Sequence, residues 1–480
     1  MICISVTPTS RQLAKVDILN ASRNCDLVEI CLDHLAKEPN LGELMEGIDK
    51  PILISCRRQQ DGGRWQGTEE QRLQLLRQAI VAEPEYVELD LDIARSIPRF
   101  GKTKRVISYV SIDQPLGKID TYFDEAYKAG ADVVKFTWPT PTLEAAWPLL
   151  HAVSSKRELP VVGVGLGNAS VTFSLMGRKY GSPWIYAALE KGMEAHPGQA
   201  TLWDLNELWH WDRITPKTRF LGVVGDHTKL TGTVHILNEG FKTLGIEMLC
   251  LPIEVNQFDR LDQMLEILKV KALLIAPKWG EKILPFSNLQ EDAVKNTRYA
   301  DLLVHKPEGW QAYNSIWRSS LKLLEDTLRK SQSDDRPLDR RNVMIIGQGG
   351  VARSLAYGVQ RRKGIVSVSS PDDKGAGAVA QSFAMRHVPY AQLYDTLADV
   401  VVIAEPEMKI GHGRTEFNPA YLRSHMTVAD VTQLAQPSGI VQEARQRGCQ
   451  VVETDALYRD FLSSLFKAVT GKELPAAAKS

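Results

Sequence analysis

Residues 130–139, GADVVKFTWP, set one lysine, Lys135, among Val133, Val134, Phe136 and Trp138. A strand that buries such neighbours rarely takes an ammonium unless the ammonium has a task or a partner. The chemistry open to it is imine formation, in which a neutral lysine nitrogen attacks a ketone carbon. At the ordinary lysine pKa of about 10.4, roughly one molecule in 2,500 is neutral at pH 7. Apolar surroundings and a nearby cation lower that value, and at about 8 roughly a tenth is neutral. Arg57, at the end of PILISCR, is the cation the pattern offers. Carboxylates recur at alternate positions in two other apolar runs: Glu29 and Asp33 around Cys31, and Glu88, Asp90 and Asp92. Alternation puts each set on one strand face. These acids read either as acid–base groups or as a polar network that, with Arg57, caps the fold. No acid directly flanks Lys135.

A second pattern concerns phosphate. In NVMIIGQGGVARSLAYGVQRR, residues 342–362, Gly347, Gly349 and Ala352 fit G-x-G-x-x-A, with Gly350 inside the same loop. The apolar VMII before it and the helix-like stretch after it are the context such a loop needs to bind a dinucleotide. Gly347 permits the tight turn, Gly349 lets a pyrophosphate approach the backbone, and Ala352 allows close helix–strand packing. The helix start then faces the phosphates. A Rossmann-like fold with a vacant or reassigned cleft is the alternative. The next apolar run, IVSVSS, ends without an acid for a ribose or an Arg for a 2′-phosphate, and Asp372, Asp373 and Lys374 come slightly later. NADP and NAD both remain open.

The elements that would position these groups follow from periodicity. Short apolar runs recur at 2–8, 27–33, 51–57, 86–92, 105–111, 132–138, 160–166 and 183–189, mostly separated by helix-like stretches such as TEEQRLQLLRQAIVA and TLEAAWPLLHAVSS. Strands alternating with helices in this number fit an α/β fold with an N-terminal (βα)8 barrel, whose sites sit at the C-terminal strand ends. A doubly wound sheet is the alternative, because the last run could equally open a helix. Residues 1–212 form the expected barrel. RFLGVVGDHT (219–228) opens a second α/β region, 213–329, and KSQSDDRPLDRR (330–341) reads as a linker. The third region, 330–480, is the expected nucleotide-binding domain, with a closing amphipathic helix, ALYRDFLSSLFKAVTG, that returns to the middle region.

The 480 residues carry 58 Lys+Arg against 58 Asp+Glu, so net charge gives no reason to expect a nucleic-acid or anionic-membrane partner. The six cysteines lack metal-ligand spacing, which argues for a reducing compartment and against a metal site. MICISVTPTSR lacks the basic start and apolar length of a signal peptide, and no run approaches membrane-spanning length. A cytoplasmic location is expected. The oligomeric state is left open.

The first half resembles type I 3-dehydroquinate dehydratase. The resemblance is carried by Glu29 in VEICLD, Arg57 followed by QDGG with Asp61, GADVVK with Lys135, YGS at 180–182, and PGQ ending in Gln199. It implies that Lys135 condenses with the ketone of 3-dehydroquinate, that a proton is lost beside the imine, and that water leaves to give 3-dehydroshikimate. Glu29, Arg57, Asp61 and Gln199 are the implied substrate-binding residues. The sequence departs from the family where Val110 replaces a histidine on the fifth strand, and where Cys31 and Ser174 replace arginines. His196, just before PGQ, is the candidate replacement imidazole; a surface loop histidine is the alternative.

The second half resembles shikimate dehydrogenase, through FLGVVGD, Thr231 and Thr233 near Asn238, the GQGGVA loop, Tyr313-Asn314 and the terminal TGKELP. The resemblance implies reduction of 3-dehydroshikimate to shikimate with NADPH or NADH, Thr231 and Thr233 on the substrate carboxylate, and Asn314 at the substrate. Trp279 stands at the family's catalytic lysine, Lys278 lies one residue early, Ile316 stands at its acid partner, and Phe461 at a substrate glutamine. Lys278 is the candidate catalytic residue here, although a one-residue shift in an extended segment turns its side chain to the opposite face. The two resemblances in this order match a fused shikimate-pathway enzyme. A non-catalytic or regulatory metabolite-binding homologue, and an enzyme acting on a related acid such as quinate, are the alternatives.

Overall fold

The computed structural model describes residues 1–8, 10–35, 39–114, 118–145, 147–225, 231–258, 261–330, 335–432 and 437–476. Asp226 of FLGVVGD and residues 331–334 of the expected linker lie outside them. The chain divides into two compact units, Met1–Phe241 with Gly245–Val270, and Lys242–Leu244 with Lys271–Ser480. This division splits the expected middle region, 213–329.

In the first unit all eight expected runs are strands: β1 (Ile2–Val6), β2 (Leu27–Cys31), β3 (Ile52–Ser55), β4 (Tyr86–Asp90), β5 (Lys104–Val110), β6 (Val133–Pro139), β7 (Val161–Leu166) and β8 (Ile185–Ala187). They form one parallel sheet in the order β7-β6-β5-β4-β3-β2-β1-β8, a barrel with its seam between β7 and β8. The eighth run, which sequence left between strand and helix, pairs with β1.

Side-chain alternation fills the barrel in layers. Cys3, Leu27, Leu53, Tyr86, Val106, Val133, Val162 and Trp184 make an apolar plug toward the N-terminal strand ends. Two residues further along the same faces stand Ser5, Glu29, Ser55, Glu88, Ser108, Lys135, Val164 and Tyr186, all but Val164 polar. Lys135 therefore shares the interior face with Val133 and Thr137. Val134, Phe136 and Trp138 point outward and are fully or nearly fully buried. Both strand faces are covered, which is why the run reads as continuously apolar.

The helices fix the barrel mouth. Glu69–Val81 begins with a capping box in which Thr68 Oγ1 accepts from Gln71 N (3.2 Å) and Gln71 Oε1 accepts from Thr68 N (2.9 Å). Such a cap is worth about 1 kcal/mol. Its buried Arg72 donates to Cys56 O (2.7 Å) and lies 2.7 Å from Asp90, bracing the ends of β3 and β4. The helix expected over 142–155 is shorter, Trp147–Ser154. Pro148 is tolerated only in a first turn, so the helix cannot extend far upstream of it.

After the barrel, β9 (Arg219–Val224) and β10 (Met248–Ile253) pair in parallel. They group with the barrel because backbone and side chains interlock: Thr172 Oγ1 donates to Pro252 O (2.7 Å), and buried Lys179 donates to Pro216 O (2.9 Å) and Thr218 O (2.6 Å).

In the second unit β11 (Val270–Ile275) runs antiparallel to β13 (Leu302–Lys306), which is antiparallel to β14 (Gly309–Tyr313), with the short β12 (Leu289–Gln290) parallel to β14. A second sheet holds β15 (Asn342–Ile346), β16 (Ile365–Ser369), β17 (Arg386–His387), β18 (Val400–Ile403), β19 (Thr427–Asp430) and β20 (Gln450–Val451). Its order, β17-β16-β15-β18-β19-β20, all parallel, is the Rossmann order with its switch point at β15. Val343 and Ile345 belong to the core on one face, and Met344 and Ile346 to the core on the other. The helix Thr454–Thr470 lies along Ile316–Arg329, with Lys322 paired to Asp460. Among the described residues no helix is long and apolar enough to cross a membrane. All six cysteines are buried and unbridged.

One buried acid gives the second unit a pH signature. Asp301, 2% exposed, accepts from Ser315 N (2.7 Å) and Ile316 N (2.7 Å) and so caps the helix Ile316–Arg329. Burial nevertheless outweighs these hydrogen bonds and pushes its carboxyl up to about 7. The unfolded value is about 3.9. The native state thus holds the extra proton between those values, and this contribution to stability is complete below pH ~4 and lost as pH rises through 7. Asp301→Asn is expected to remove that component. The wild-type-minus-variant unfolding free energy should fall with pH by at most about 1.4 kcal/mol per unit across this window. Denaturant melts at pH 5 and 8 measure it, and a pH-independent difference would contradict it.

Candidate active site

Lys135 is 3% exposed, and its Nζ lies 2.8 Å from Glu88 Oε2, a partner 47 residues away in sequence. Sequence reasoning saw no acid beside Lys135 because barrel closure, rather than sequence adjacency, supplies it. Arg57 Nη2 pairs with Glu29 Oε1 and lies 3.8 Å from Glu88 Oε2. Ser5 Oγ donates to Glu29 Oε2 at 2.5 Å. Two acids and two cations thus neutralise one another inside the barrel, the arrangement that makes buried charge tolerable. Burial alone would raise the Glu29 carboxyl. Arg57, Lys135 and the Ser5 hydroxyl outweigh it and hold Glu29 at about 2.

These groups open on a cavity of about 440 Å³ at the C-terminal strand ends. Glu29, Arg57, Asp61, Lys135 and His196 all line it, so five of the residues expected at the barrel site meet in one place. Val110 also lines it, giving an aliphatic wall where the family carries its imidazole. The floor is Tyr186, whose ring centroid lies 4.7 Å from Lys135 Nζ. Its buried hydroxyl has no hydrogen-bond partner among the described residues. Burial, then Glu29, raises the phenol well above its usual value, so it stays a proton donor. Thr137 adds a second unpartnered hydroxyl to the same lining. Sequence reasoning missed Tyr186, Ser5 and Thr137. Carrying the period-two alternation from Lys135 would have found Thr137, whereas Ser5 and Tyr186 stand on strands with no singled-out residue and are placed only by the pairing of β1 with β2 and β8.

His196 Nε2 is buried without a hydrogen-bond partner, and Nδ1 approaches Pro197 O at 3.5 Å. Burial, and then the charges of Arg57 and Lys135, push the imidazole down to about 4. Gln199 is not one of the cavity-lining residues. Its Oε1 accepts from Ala195 N (2.7 Å), and it holds the loop that carries His196. Gly198 of the same loop has φ +78°, and a Cβ there would sit 2.0 Å from Gly167 O, so the PGQ stretch needs its glycine.

The other strand-end acids do different work. β2 ends at Cys31, so Asp33 lies in a 3-10 turn rather than on the strand face with Glu29. It accepts from Arg57 N (3.1 Å) and Arg64 N (2.9 Å), shaping the loop that contains Asp61. Asp61 accepts from Arg58 Nε (2.5 Å), and Arg58 also pairs with Asp92 at 2.7 Å. Burial pushes Asp90 up to about 6 against Arg72 and Arg58. For Asp90 and Asp92 the capping-network reading describes the geometry; Glu88 instead faces Lys135. A larger neighbouring cavity, about 650 Å³, shares Asp61 and Val110 with the first, and no lysine is among its lining residues.

The residues expected at the other site belong to separate elements of the two units. Thr231 and Thr233 occupy the first and third positions of the helix Thr231–Thr243, Thr231 half-buried and Thr233 buried. Two positions on a helix are about 200° apart, so the pair does not share a face as it would in an extended segment. Asn314 is fully buried, its Nδ2 donating to Thr297 Oγ1 (3.0 Å) and Ser354 Oγ (2.7 Å). Lys278 is exposed, and its Nζ is 5.4 Å from the Trp279 ring. The segment expected to be extended is a 3-10 turn, Pro277–Trp279, with proline in its first turn. Ile316 begins the helix that Asp301 caps.

The glycine loop follows β15 and runs into the helix Gly350–Arg361. Gly347 has φ +139°, and a Cβ there would lie 2.7 Å from the Ala404 backbone. Gly350 faces the Tyr299 ring, 2.1 Å from where a Cβ would sit, and Ala352 is fully buried. These three serve packing. Gly349, the N-cap, has open space at its Cβ position, and no side chain caps the helix. Uncapped amides facing open space at a switch point are what a dinucleotide pyrophosphate requires. The residues present therefore fit NADP or NAD. Among the described residues no cluster of acids, histidines and cysteines would hold a metal ion.

Residues 2–216 match the family model of type I 3-dehydroquinase. A chloroplastic bifunctional 3-dehydroquinate dehydratase/shikimate dehydrogenase of Arabidopsis thaliana is 22% identical over 499 residues, covering 99% of this chain and 83% of that protein. A 3-dehydroquinate dehydratase of Methanocaldococcus jannaschii is 27% identical over 218 residues, 44% of this chain and 97% of its own. Among solved structures, the dehydroquinate dehydratase and shikimate dehydrogenase of S. pombe covers 100% of this chain and 97% of that chain at 15% identity, with a TM-score of 0.44.

Proposed function

We propose that this chain, whose residues 2–216 match type I 3-dehydroquinase, is a bifunctional shikimate-pathway enzyme. Its barrel dehydrates 3-dehydroquinate to 3-dehydroshikimate through a Lys135 imine, and its second half reduces 3-dehydroshikimate to shikimate with NADPH or NADH. The observation that carries the reading is a buried amine, Lys135, in a polar-floored cavity with one carboxylate in hydrogen-bond contact.

The chemistry balances with the groups present. Lys135 sheds its ammonium proton, and Glu88 Oε2 at 2.8 Å is the acceptor in reach. The freed nitrogen pair attacks the ketone carbon, and loss of one water leaves the imine. A base takes the proton from the carbon beside the imine. Those electrons form the new double bond as hydroxide leaves, protonated, as a second water. Hydrolysis of the imine consumes one water and frees the ketone product and the amine, so the net loss is one water. Arg57 faces the cavity as the cation for substrate carboxylate or hydroxyl oxygens, and the Tyr186 and Thr137 hydroxyls are available to the ring substituents. Asp61 is the acid at the rim, and Gln199 acts through the loop it holds.

His196 is the base we assign to the carbon-bound proton. An imidazole held near 4 is neutral, hence able to accept, throughout the neutral range. His196→Ala is expected to cut dehydration by about 10²-fold or more while leaving imine trapping intact. The acid limb of the wild-type profile should fall near pH 4 rather than 6.5. Unchanged turnover in the variant would remove His196 from the mechanism.

The deciding experiment is borohydride reduction with 3-dehydroquinate, followed by peptide mass analysis. A stable adduct on Lys135 supports the assignment, and an unlabelled chain overturns it. In the second half a different observation favours a second reading. Lys278 is exposed, its Nζ 5.4 Å from the Trp279 ring, so that half would bind its nucleotide and acid without reducing a ketone, or act on a related acid such as quinate. NAD(P)H oxidation with 3-dehydroshikimate separates the two. We place the protein in the cytoplasm, acting on small molecules.

A further inference from the structure

We propose that Asp372 makes the glycine-loop site prefer a dinucleotide with a free adenosine 2′-hydroxyl over one with a 2′-phosphate. The proposal rests on the reading of that loop as a dinucleotide site and takes it further, to which dinucleotide. β16 lies directly beside β15 in parallel, with Ser369 opposite Ile346, so the chain leaving β16 emerges next to the glycine loop. In this fold the adenosine ribose is read there, by an acid for a diol or a cation for a phosphate. The strand ends at Ser369 and is followed by Ser370, neither an acid nor a cation, which left the question open from sequence.

The structure ties a particular acid to the loop. Gln348, between the two loop glycines, donates from Nε2 to Asp372 Oδ2 at 2.7 Å. Asp372 Oδ1 accepts from Gly375 N at 3.2 Å and caps the helix Asp373–Ser382. Ser370 Oγ accepts from Asp372 N (3.2 Å) and donates to Glu405 Oε2 (2.9 Å), fixing the approach to the turn. Three contacts thus hold an exposed carboxylate beside the loop. The Gly375 N–H and the Gln348 amide lower its pKa, keeping it ionised. Asp373 adds a second negative charge to the turn and faces His387 Nε2 at 3.5 Å. Lys374 is the turn's one cation, and Arg386 stands on the neighbouring β17. A ribose diol can donate to Asp372, whereas a 2′-phosphate would bring two like charges against it.

The test is a pair of binding titrations on the full chain, following nucleotide fluorescence with NADH and with NADPH. Wild type is expected to bind NADH at least about tenfold tighter, the size of like-charge repulsion at an exposed site. Asp372→Asn keeps a helix cap and removes the charge. It should narrow the gap to about threefold or less, mainly by tightening NADPH. Lys374→Ala should leave NADH binding unchanged. Wild-type preference for NADPH, or a ratio that Asp372→Asn does not move, overturns the proposal while leaving the loop a nucleotide site. Binding of neither nucleotide at millimolar concentration overturns the reading of the loop itself, and the proposal with it.

Discussion

Lys135→Met is expected to lose the borohydride-trapped adduct completely and to lower 3-dehydroquinate turnover by 10³-fold or more, the scale seen when a covalent nucleophile is removed. Methionine matches the lysine stem in length and suits a position that is 3% exposed, so the barrel should still close. The change has a second consequence. Glu88, 4% exposed, loses its 2.8 Å partner and, among the described residues, is left with the ion pair to Arg57 at 3.8 Å. A stability loss is therefore expected alongside the catalytic one, and Lys135→Met with Glu88→Gln should recover part of it without restoring turnover. Glu88→Gln alone keeps the shape and removes the proton acceptor. It should slow imine formation rather than prevent it, so the adduct still forms over longer incubation. The pattern of three variants separates nucleophile from proton acceptor. Adduct formation in a folded Lys135→Met protein would mean that another amine carries the chemistry, and the assignment of the barrel would fail.

Much of this arrangement is legible in the sequence, for definite reasons. The barrel strands read cleanly because each buries both faces and is bounded by turns, and Lys135 stood out because charge in such a run is costly. The loop around Gly347 read correctly as a strand–turn–helix because its flanks change period from two to 3.6. What did not read was pairing between strands. Glu88 looked like one of three equivalent acids on β4, yet Lys135 on β6 takes Glu88 while Arg72 and Arg58 take Asp90 and Asp92. Closure of the barrel decides that division, and spacing within one strand carries no information about it. The same holds for Tyr186, whose strand is only three residues long. In the second unit the failure was local. Lys278 was read as part of an extended segment, but Pro277 starts a 3-10 turn, and the face expected from period two does not exist there.

The charge balance inside the barrel yields the largest stability prediction. Arg57→Ala is expected to destabilise the first unit by about 3 kcal/mol, the low end for breaking a buried ion pair from one side. Glu29 is fully buried and would be left with Ser5 and the more distant Lys135 as its compensation. That residual help is why the low end is chosen. The pH dependence has a definite sign. In the wild type Glu29 titrates at about 2 against an unfolded value of about 4.3, so its contribution is complete above pH 4.3 and lost as pH falls toward 2. Without Arg57 the burial term that Arg57 had outweighed comes forward, and Glu29 takes up its proton at higher pH. The gap between wild type and Arg57→Ala should therefore narrow as pH falls below about 4.3. Glu29→Gln combined with Arg57→Ala removes both charges and should be more stable at pH 7 than Arg57→Ala alone. Urea unfolding monitored at pH 7 and pH 3 reads all of these. A gap below about 1 kcal/mol at pH 7, or one that does not change with pH, would show that water rather than Arg57 compensates Glu29.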